Sequence, residues 1–291
     1  MPTIPVRDVE LYFERTGSGP VLLFVHGMCG DASVWADQVT RLSGRFTCVT
    51  YDRRGHTRSP RGTEPESVET HAADAAALIE RLALDRPVLI GSSGGARIAV
   101  EVARSRPALI RAAVFSEPPI FGLDPAAGAD FLADVRATVG PAVEAGDPRA
   151  AVEAFFPMVC PGLWSALDEA GRERLRANGR MMIEELTGPP YRLTADDAAG
   201  IGVPALVLSG SESHPSLRAF AAVLARRLPM AGSLELRGSG HVTYAERPAE
   251  FAEAVADFAR EVYVGDPRAQ AGRPLSSRSS LIRAFVEVSE S

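Results

Sequence analysis

Short apolar runs alternate with amphipathic stretches along most of the chain. Val21–Val25 is continuously apolar, and Phe46–Tyr51 and Ala112–Phe115 are comparable runs of strand-forming residues. Glu69–Leu82, by contrast, places its apolar residues at helical spacing. Strands without polar alternation are buried on both faces, as in a parallel sheet that its crossover helices cover. The pattern therefore predicts an α/β fold with a doubly wound, mostly parallel sheet.

Two segments depart from this pattern. Val9–Glu14 alternates between apolar and polar residues, which is typical of an edge strand. Strand signals disappear between Ile120 and Gly200, where short helices are interrupted by prolines such as Pro148 and Pro157. A helical insertion in such a pattern is most simply a cap over the carboxyl edge of the sheet. The predicted division is an α/β core (1–119 and 201–263), a helical cap (120–200) and a C-terminal tail (264–291).

The most distinctive stretch follows the apolar run Val88–Ile90. It has the pattern G-x-S-x-G from Gly91 to Gly95, with Ser93 at its centre, and a helical segment comes next. A serine held at a tight corner between a strand and a helix needs neighbours without side chains, so that the two arms can pass closely. Its hydroxyl would then stand clear of the sheet. The stretch predicts a nucleophile at the edge of the sheet.

Composition and charge exclude several classes of function. The chain has 291 residues, is 46% hydrophobic and carries a formal net charge of −6, which argues against a nucleic-acid or anionic-membrane surface. It contains no lysine, so lysine Schiff-base chemistry is excluded. Its 3 cysteines fit neither a disulfide framework nor a metal site. With no apolar run of membrane-spanning length and no signal-peptide pattern at the N-terminus, we expect a soluble cytoplasmic protein.

Four motifs together carry a family resemblance. They are Val25-His26-Gly27, Asp52-Arg53-Arg54-Gly55-His56, the Gly91–Gly95 corner and Gly240-His241. In this order and spacing the chain resembles the α/β-hydrolases with a helical cap, over roughly residues 5 to 262. One departure is Thr57, which stands where the family has the second glycine of its Asp-x-Arg-Gly-x-Gly-x-Ser stretch.

The resemblance implies a catalytic role for each of several residues. Ser93 would be the nucleophile, and His241 would be the base that removes its proton, because a serine hydroxyl is a weak nucleophile at neutral pH. The backbone N–H groups of Met28 and Gly94 would stabilise the oxyanion of the tetrahedral intermediate. No cofactor and no metal ion is implied.

The carboxylate that should orient His241 is not at its usual place. Most relatives carry an aspartate three positions after the glycine equivalent to Gly210, and here that position is Ser213. Glu212 is one candidate. The preferred candidate is Glu117, which directly follows a predicted strand and precedes two prolines that stiffen its backbone. Lactonases that open the macrolactone zearalenone are similar in having a glutamate at this point.

The remaining candidates concern substrate binding. Besides Gly27, the predicted substrate-binding residues are Phe121, Trp164 and Tyr191 of the cap and His214 near the acid loop. The cap is rich in aromatic and methionine side chains, most of which we expect to form its core, while the rest would line an apolar pocket above Ser93. His26 is expected to be structural.

These observations favour a serine hydrolase that cleaves a carboxylic ester or lactone of a hydrophobic small molecule through an acyl-enzyme. Other enzymes with the same residues are cofactor-free haloperoxidase-like perhydrolases and C–C hydrolases. An alternative of another class is a non-catalytic ligand-binding receptor, because the fold also serves that purpose. The expected partner is the small-molecule substrate, with no nucleic acid and no membrane; whether the protein forms a homodimer is left open.

Overall fold

The computed structural model describes residues 2–264. The strands are β1 (Thr3–Val6), β2 (Val9–Thr16), β3 (Val21–Val25), β4 (Thr47–Tyr51), β5 (Val88–Ser92), β6 (Ala112–Ser116), β7 (Ala205–Gly210) and β8 (Ala231–Leu236). In this range they form one eight-stranded sheet in the order β1-β2-β4-β3-β5-β6-β7-β8. The β1/β2 and β2/β4 pairs are antiparallel, and every other neighbouring pair is parallel. The sheet is therefore mostly parallel, as predicted.

Helices connect most of these strands. They are α1 (Ala36–Leu42), α2 (Val68–Arg81), α3 (Gly94–Ser105), α4 (Pro125–Thr138), α5 (Gly140–Glu144), α6 (Pro148–Val159), α7 (Pro161–Ala166), α8 (Glu169–Ala177), α9 (Gly179–Thr187), α10 (Ala195–Ala199), α11 (Pro215–Arg227), α12 (Thr243–Glu246) and α13 (Pro248–Val264). Short 3-10 turns occupy Ala32–Trp35, Pro107–Leu109 and Phe121–Leu123. Among the described residues, no helix is long and apolar enough to cross a membrane.

The sheet has a hydrophobic core on each face. Successive residues of a strand point to opposite faces, so Leu23 and Val25 of β3 belong to one core and Leu22 and Phe24 to the other. The first core is covered by α2, α3, α11 and the helices of the insertion, and the second by α1 and α13. This two-sided burial explains why the central strands are continuously apolar.

The prediction of an edge strand at Val9–Glu14 was wrong. β2 lies inside the sheet, between β1 and β4, because Thr3–Val6 forms a further strand that pairs with it. This edge strand contains Pro5, which cannot donate a ladder hydrogen bond and which masked the strand in the sequence.

Only helices and turns occur between β6 and β7 in the described chain, as the loss of strand signals predicted. Pro148 begins α6, but Pro157 does not interrupt it, since it lies within α6 near its carboxyl end. The division into core (1–119 and 201–263) and cap (120–200) stays a prediction. The predicted tail, 264–291, lies outside the described residues except for Val264.

Helix α3 begins against the backbone of β3, and two glycines permit this contact. A Cβ atom on Gly95 would lie 2.2 Å from the carbonyl oxygen of Val25, and one on Gly91 would lie 2.3 Å from the carbonyl oxygen of Gly95. These distances are far below van der Waals contact, and the obstructing atoms are backbone. The corner after β5 can therefore form only with glycine at both positions.

We expect Gly95→Ala to lower the free energy of unfolding by about 3 kcal/mol or more, because the overpacked atoms are backbone and cannot move aside. Gly44→Ala is the matched control, since a Cβ there meets nothing within 4 Å and the change should stay within about 0.5 kcal/mol. Urea unfolding followed by circular dichroism measures both. Equal stabilities of the two variants would contradict the close approach of α3 to β3.

Candidate active site

Ser93 lies at the corner between β5 and α3, in a strained conformation. Its backbone has φ 54° and ψ −121°, a region that non-glycine residues rarely adopt and that costs about 1–3 kcal/mol. The Ser93 amide donates to the carbonyl oxygen of Ser116 at 2.9 Å, which helps to hold the corner. In the stretch 88–103, every residue is buried except Ser93 and Arg97. Ser93 is therefore more exposed than the residues on either side of it.

His241 lies on the loop that follows β8. The carboxylate of Glu246 accepts hydrogen bonds from the amides on either side of it, from Gly240 at 2.7 Å and from Val242 at 3.3 Å. His241 is 5% exposed. The backbone on both sides of His241 is therefore held by Glu246, the last residue of α12.

Glu117 directly follows β6 and is completely buried. One of its oxygens, Oε2, accepts from His241 Nδ1 at 2.7 Å, and the other, Oε1, accepts from the Gly210 amide at 2.7 Å. Because a carboxylate only accepts hydrogen bonds, Nδ1 carries the imidazole proton and Nε2 keeps its lone pair. That tautomer is the one in which His241 can remove a proton from a nucleophile.

The two candidates for the acid are thus placed very differently. Glu212 is exposed, and its backbone amide donates to the Ser239 carbonyl oxygen at 2.8 Å. The side chain that does reach from this loop is Ser213, whose hydroxyl donates to Glu117 Oε2 at 2.5 Å. Ser213 occupies the position where an aspartate was expected, and it contacts the same oxygen that binds His241.

Met28 and Gly94 lie beside Ser93. Gly94 is the first residue of α3, so its amide has no acceptor within the helix. The backbones of Met28 and Gly94 lie close together, since a Cβ on Gly94 would be 3.5 Å from the Met28 nitrogen. His26 supports this loop: its Nδ1 bonds to the Gly27 carbonyl oxygen at 2.9 Å, while its Nε2 accepts from the backbone amide of Arg53 at 3.0 Å. Burial, with the charge of Arg53, lowers the pKa of His26, so it stays neutral.

Two cavities meet at this point. Both are lined by Met28, Ser93, Phe155, Val159 and His241. The first, of about 200 Å³, extends between largely apolar side chains: Phe156, Cys160, Leu163, Leu167, Leu175, Val242 and Tyr244. The second, of about 130 Å³, extends towards Arg97, Phe121, Phe131, Val135, Glu185, Tyr191 and Leu217. A molecule that reaches Ser93 can therefore extend in two directions.

The predicted substrate-binding residues fall into two groups. Gly27 lines the first cavity, and Phe121 and Tyr191 line the second. Trp164 and His214 line neither cavity, and a substrate-binding role for them stays a prediction.

Packing explains the positions of these two side chains. The Trp164 ring stacks on Phe156, with centroids 5.8 Å apart, and lies against the Arg172 guanidinium. His214 caps α11 by accepting from the Ser216 amide at 3.2 Å, and its other nitrogen bonds to Asp134 at 3.1 Å.

A buried ion cluster next to the second cavity was not predicted. Glu185, on α9, contacts Arg53 at 2.6 Å and Arg97 at 3.3 Å. Burial alone would raise the pKa of Glu185, but the two guanidinium groups outweigh it and the pKa lies below its ordinary value. The one available signal was Arg97 itself, a charged residue on the otherwise apolar start of α3.

The arrangement contains the parts of a nucleophilic site. A hydroxyl at a strained corner, an imidazole in the accepting tautomer, a buried carboxylate behind it and two backbone amides are what acyl transfer requires. Within residues 2–264, no group of three or more His, Cys, Asp or Glu side chains is placed to hold a metal ion.

Comparison with known proteins identifies a family and several relatives. The model of the alpha/beta hydrolase family matches residues 22–254. Among curated relatives, 2-(acetamidomethylene)succinate hydrolase of Mesorhizobium japonicum is 36% identical over 111 residues, which cover 38% of this chain and 40% of that protein. The chain therefore matches less than half the length of this relative.

Solved structures agree with the fold. A thermophilic esterase from Thermogutta terrifontis superposes with a TM-score of 0.76 at 23% identity, covering 90% of this chain and 99% of that one. The enol-lactonase from Burkholderia xenovorans LB400 gives a TM-score of 0.73 at 22% identity, covering 89% of this chain and 100% of that one. The predicted fold class is confirmed.

Glu117→Gln should slow phosphonylation of Ser93 by a fluorophosphonate by at least about 100-fold, because the amide no longer stabilises the imidazolium or the correct tautomer. Intact-mass spectrometry measures the rate, and Ser93→Ala identifies the labelled residue. Glu212→Gln is the matched control and should label like the unmodified protein. Slower labelling in Glu212→Gln, with normal labelling in Glu117→Gln, would reverse the assignment.

Ser213→Asp should restore labelling in the Glu117→Gln background by at least about tenfold, because position 213 reaches the oxygen that binds His241 and a new carboxylate there replaces the lost charge. Ser213→Ala in the same background supplies no carboxylate and should restore nothing. The idea fails if the aspartate and alanine double variants label at the same rate.

Proposed function

The chain belongs to the alpha/beta hydrolase family, and on that premise we propose that it is a serine hydrolase that cleaves a carboxylic ester or lactone of a hydrophobic small molecule. One observation carries the proposal. Ser93 and His241 line the same cavities, and His241 is bound through Nδ1 to the buried Glu117. These contacts support a nucleophile, a base and an orienting acid in the chain order Ser, acid, His.

In the first half of the reaction, Ser93 Oγ attacks the substrate carbonyl carbon while His241 Nε2 takes the hydroxyl proton. The carboxylate of Glu117 stabilises the imidazolium. The negative charge that develops on the carbonyl oxygen is bound by the amides of Met28 and Gly94, and the loss of one such donor costs about 2.7–4 kcal/mol of barrier. The imidazolium then protonates the departing alkoxide, and the acyl group remains on Ser93.

In the second half, water replaces the alcohol. His241 removes a proton from the water as its oxygen attacks the acyl carbon, and the same proton returns to Ser93 Oγ when the acyl bond breaks. The products are a carboxylic acid and the free enzyme. For a lactone, acid and alcohol remain on one molecule.

The substrate class rests on the walls of the cavities. The first cavity is bounded chiefly by aromatic and aliphatic side chains, among them Phe156, Leu163 and Val242, which favour an apolar group over a highly hydrated one. A cytoplasmic location, the absence of nucleic-acid and membrane partners and the oligomeric state stay predictions.

Ser93→Ala should abolish hydrolysis of a panel of 4-nitrophenyl esters and aliphatic and resorcylic lactones, with kcat falling by roughly 10⁶ towards background, because the nucleophile is removed. Ser105→Ala changes an exposed serine at the end of α3; it is the matched control and should leave the rates unchanged. Steady-state kinetics on purified, folded proteins measure both.

The same panel separates the alternatives. Faster acyl transfer to hydrogen peroxide than to water would indicate a perhydrolase, and turnover of a vinylogous diketone without ester turnover would indicate a C–C hydrolase. Tight binding of apolar ligands with no turnover of any member would replace the hydrolase proposal by a receptor.

A further inference from the structure

The two cavities that meet at Ser93 differ in charge. In the first, the basic residue Arg174 is exposed, and the buried carboxylate of Asp31 accepts hydrogen bonds from the Ser33 amide and the Thr57 hydroxyl. The second contains Arg97 and Glu185, whose side chains are 12% and 7% exposed. A charge inside a largely apolar cavity is costly unless it has a partner, so the second cavity requires an explanation that the proposed ester chemistry does not supply.

Arg97 stands beside the nucleophile. It lies four residues after Ser93, in the first turn of α3. Both line the second cavity, and they are the two positions of the stretch 88–103 that are not buried. A group bound by Arg97 would therefore belong to the molecule that Ser93 attacks.

The ion cluster holds more positive than negative charge. Glu185 is already paired with Arg53, which is 1% exposed and makes the shorter contact. The nearby carboxyl group of Glu66 contacts His71, and burial raises its pKa to about 7, so it supplies only part of a negative charge at neutral pH. The histidines of this region add no charge at neutral pH, since burial lowers the pKa of His56 and His71. Two guanidinium groups therefore face one ionised carboxylate, that of Glu185, and the partial charge of Glu66.

Arg97 also has unused donors. In the part of the chain that the structure describes, the one hydrogen bond of its side chain is that from Nη2 to Glu185 at 3.3 Å, and Nε is buried without a partner. Burial lowers the pKa of this guanidinium despite the nearby Glu185, consistent with an incompletely compensated cation. A guanidinium presents its donors in a planar fork that matches a carboxylate.

We propose that Arg97 binds a carboxylate on the substrate, so that the preferred ester or lactone has one anionic arm in the second cavity and one apolar arm in the first. This inference rests on the proposed hydrolase function and adds the charge of the substrate. Arg97 acts as a binding residue, and Glu185 holds its guanidinium in place beside Ser93.

The test compares esters that differ in one charge. Mono-4-nitrophenyl glutarate and 4-nitrophenyl pentanoate form a pair with the carboxylate on the acyl side. With 4-carboxyphenyl butyrate and phenyl butyrate, the carboxylate is on the alcohol side. In one of the two pairs the carboxylate enters the second cavity. For that pair, Arg97→Gln should lower the ratio of kcat/KM for the anionic ester to kcat/KM for the neutral ester about tenfold or more. The change should come mainly from KM, because a charge-assisted hydrogen bond to the substrate is lost.

Two further variants separate binding from structural support. Arg97→Lys keeps the charge and should recover part of the anionic preference, and Arg106→Gln removes an exposed arginine beyond the same helix and should leave the ratio unchanged. The inference is overturned if Arg97→Gln lowers both members of each pair equally, since that result indicates structural support alone. It is also overturned if the unmodified enzyme prefers the neutral ester of both pairs.

A failure of this inference is distinguishable from a failure of the proposed function. Turnover of the neutral esters that disappears in Ser93→Ala supports the hydrolase whatever Arg97 does. If no ester is hydrolysed, the probe becomes glutarate itself, measured by calorimetric titration of the Ser93→Ala and Ser93→Ala/Arg97→Gln proteins. Binding that is lost with Arg97 supports the anion site, and the same affinity in both, or no binding, refutes it.

Discussion

The buried carboxylate of Glu117 connects three parallel strands at the carboxyl edge of the sheet. Glu117 directly follows β6. One oxygen of its carboxylate accepts from the Gly210 amide at the end of β7, and the other accepts from the imidazole of His241, beyond β8. An ionised group without solvent is tolerable only when its oxygens are satisfied, and here donors reach both. The position of His241 relative to Ser93 therefore depends on the register of β5 to β8.

The acid that contacts His241 follows β6 and not the neighbouring strand β7. β6 and β7 are adjacent and parallel, so residues that follow their carboxyl ends approach the same point. In this chain a glutamate directly after β6 reaches the imidazole, while Ser213, three residues after the end of β7, donates its hydroxyl to that glutamate. The positive φ of 47° at Glu117 shows that its backbone is bent to reach this point.

The helical insertion is tied to the sheet by charge as well as by apolar contact. Glu185 on α9 is bound to Arg53, which follows β4, and to Arg97 on α3. Breaking one partner of a buried pair costs about 3–5 kcal/mol, because the other charge is left without compensation. Glu185 and Arg97 also line the second cavity beside Ser93. The contacts that hold the insertion on the sheet therefore also place charged groups in that cavity.

Local patterns in the sequence were sufficient to predict the alternation of strands and helices, the helical insertion and the corner at Ser93, because each depends on residues close together in the chain. The sequence also narrowed the acid to Glu117 and Glu212, and His241 was found through a motif. It missed the edge strand Thr3–Val6, and Trp164 and His214, predicted to bind substrate, do not line either of the two cavities. Only the tertiary structure decided which acid contacts His241, and that Glu185, Arg53 and Arg97 form one cluster. Such contacts join residues far apart in sequence, and their geometry depends on strand register and helix packing, which no local pattern encodes.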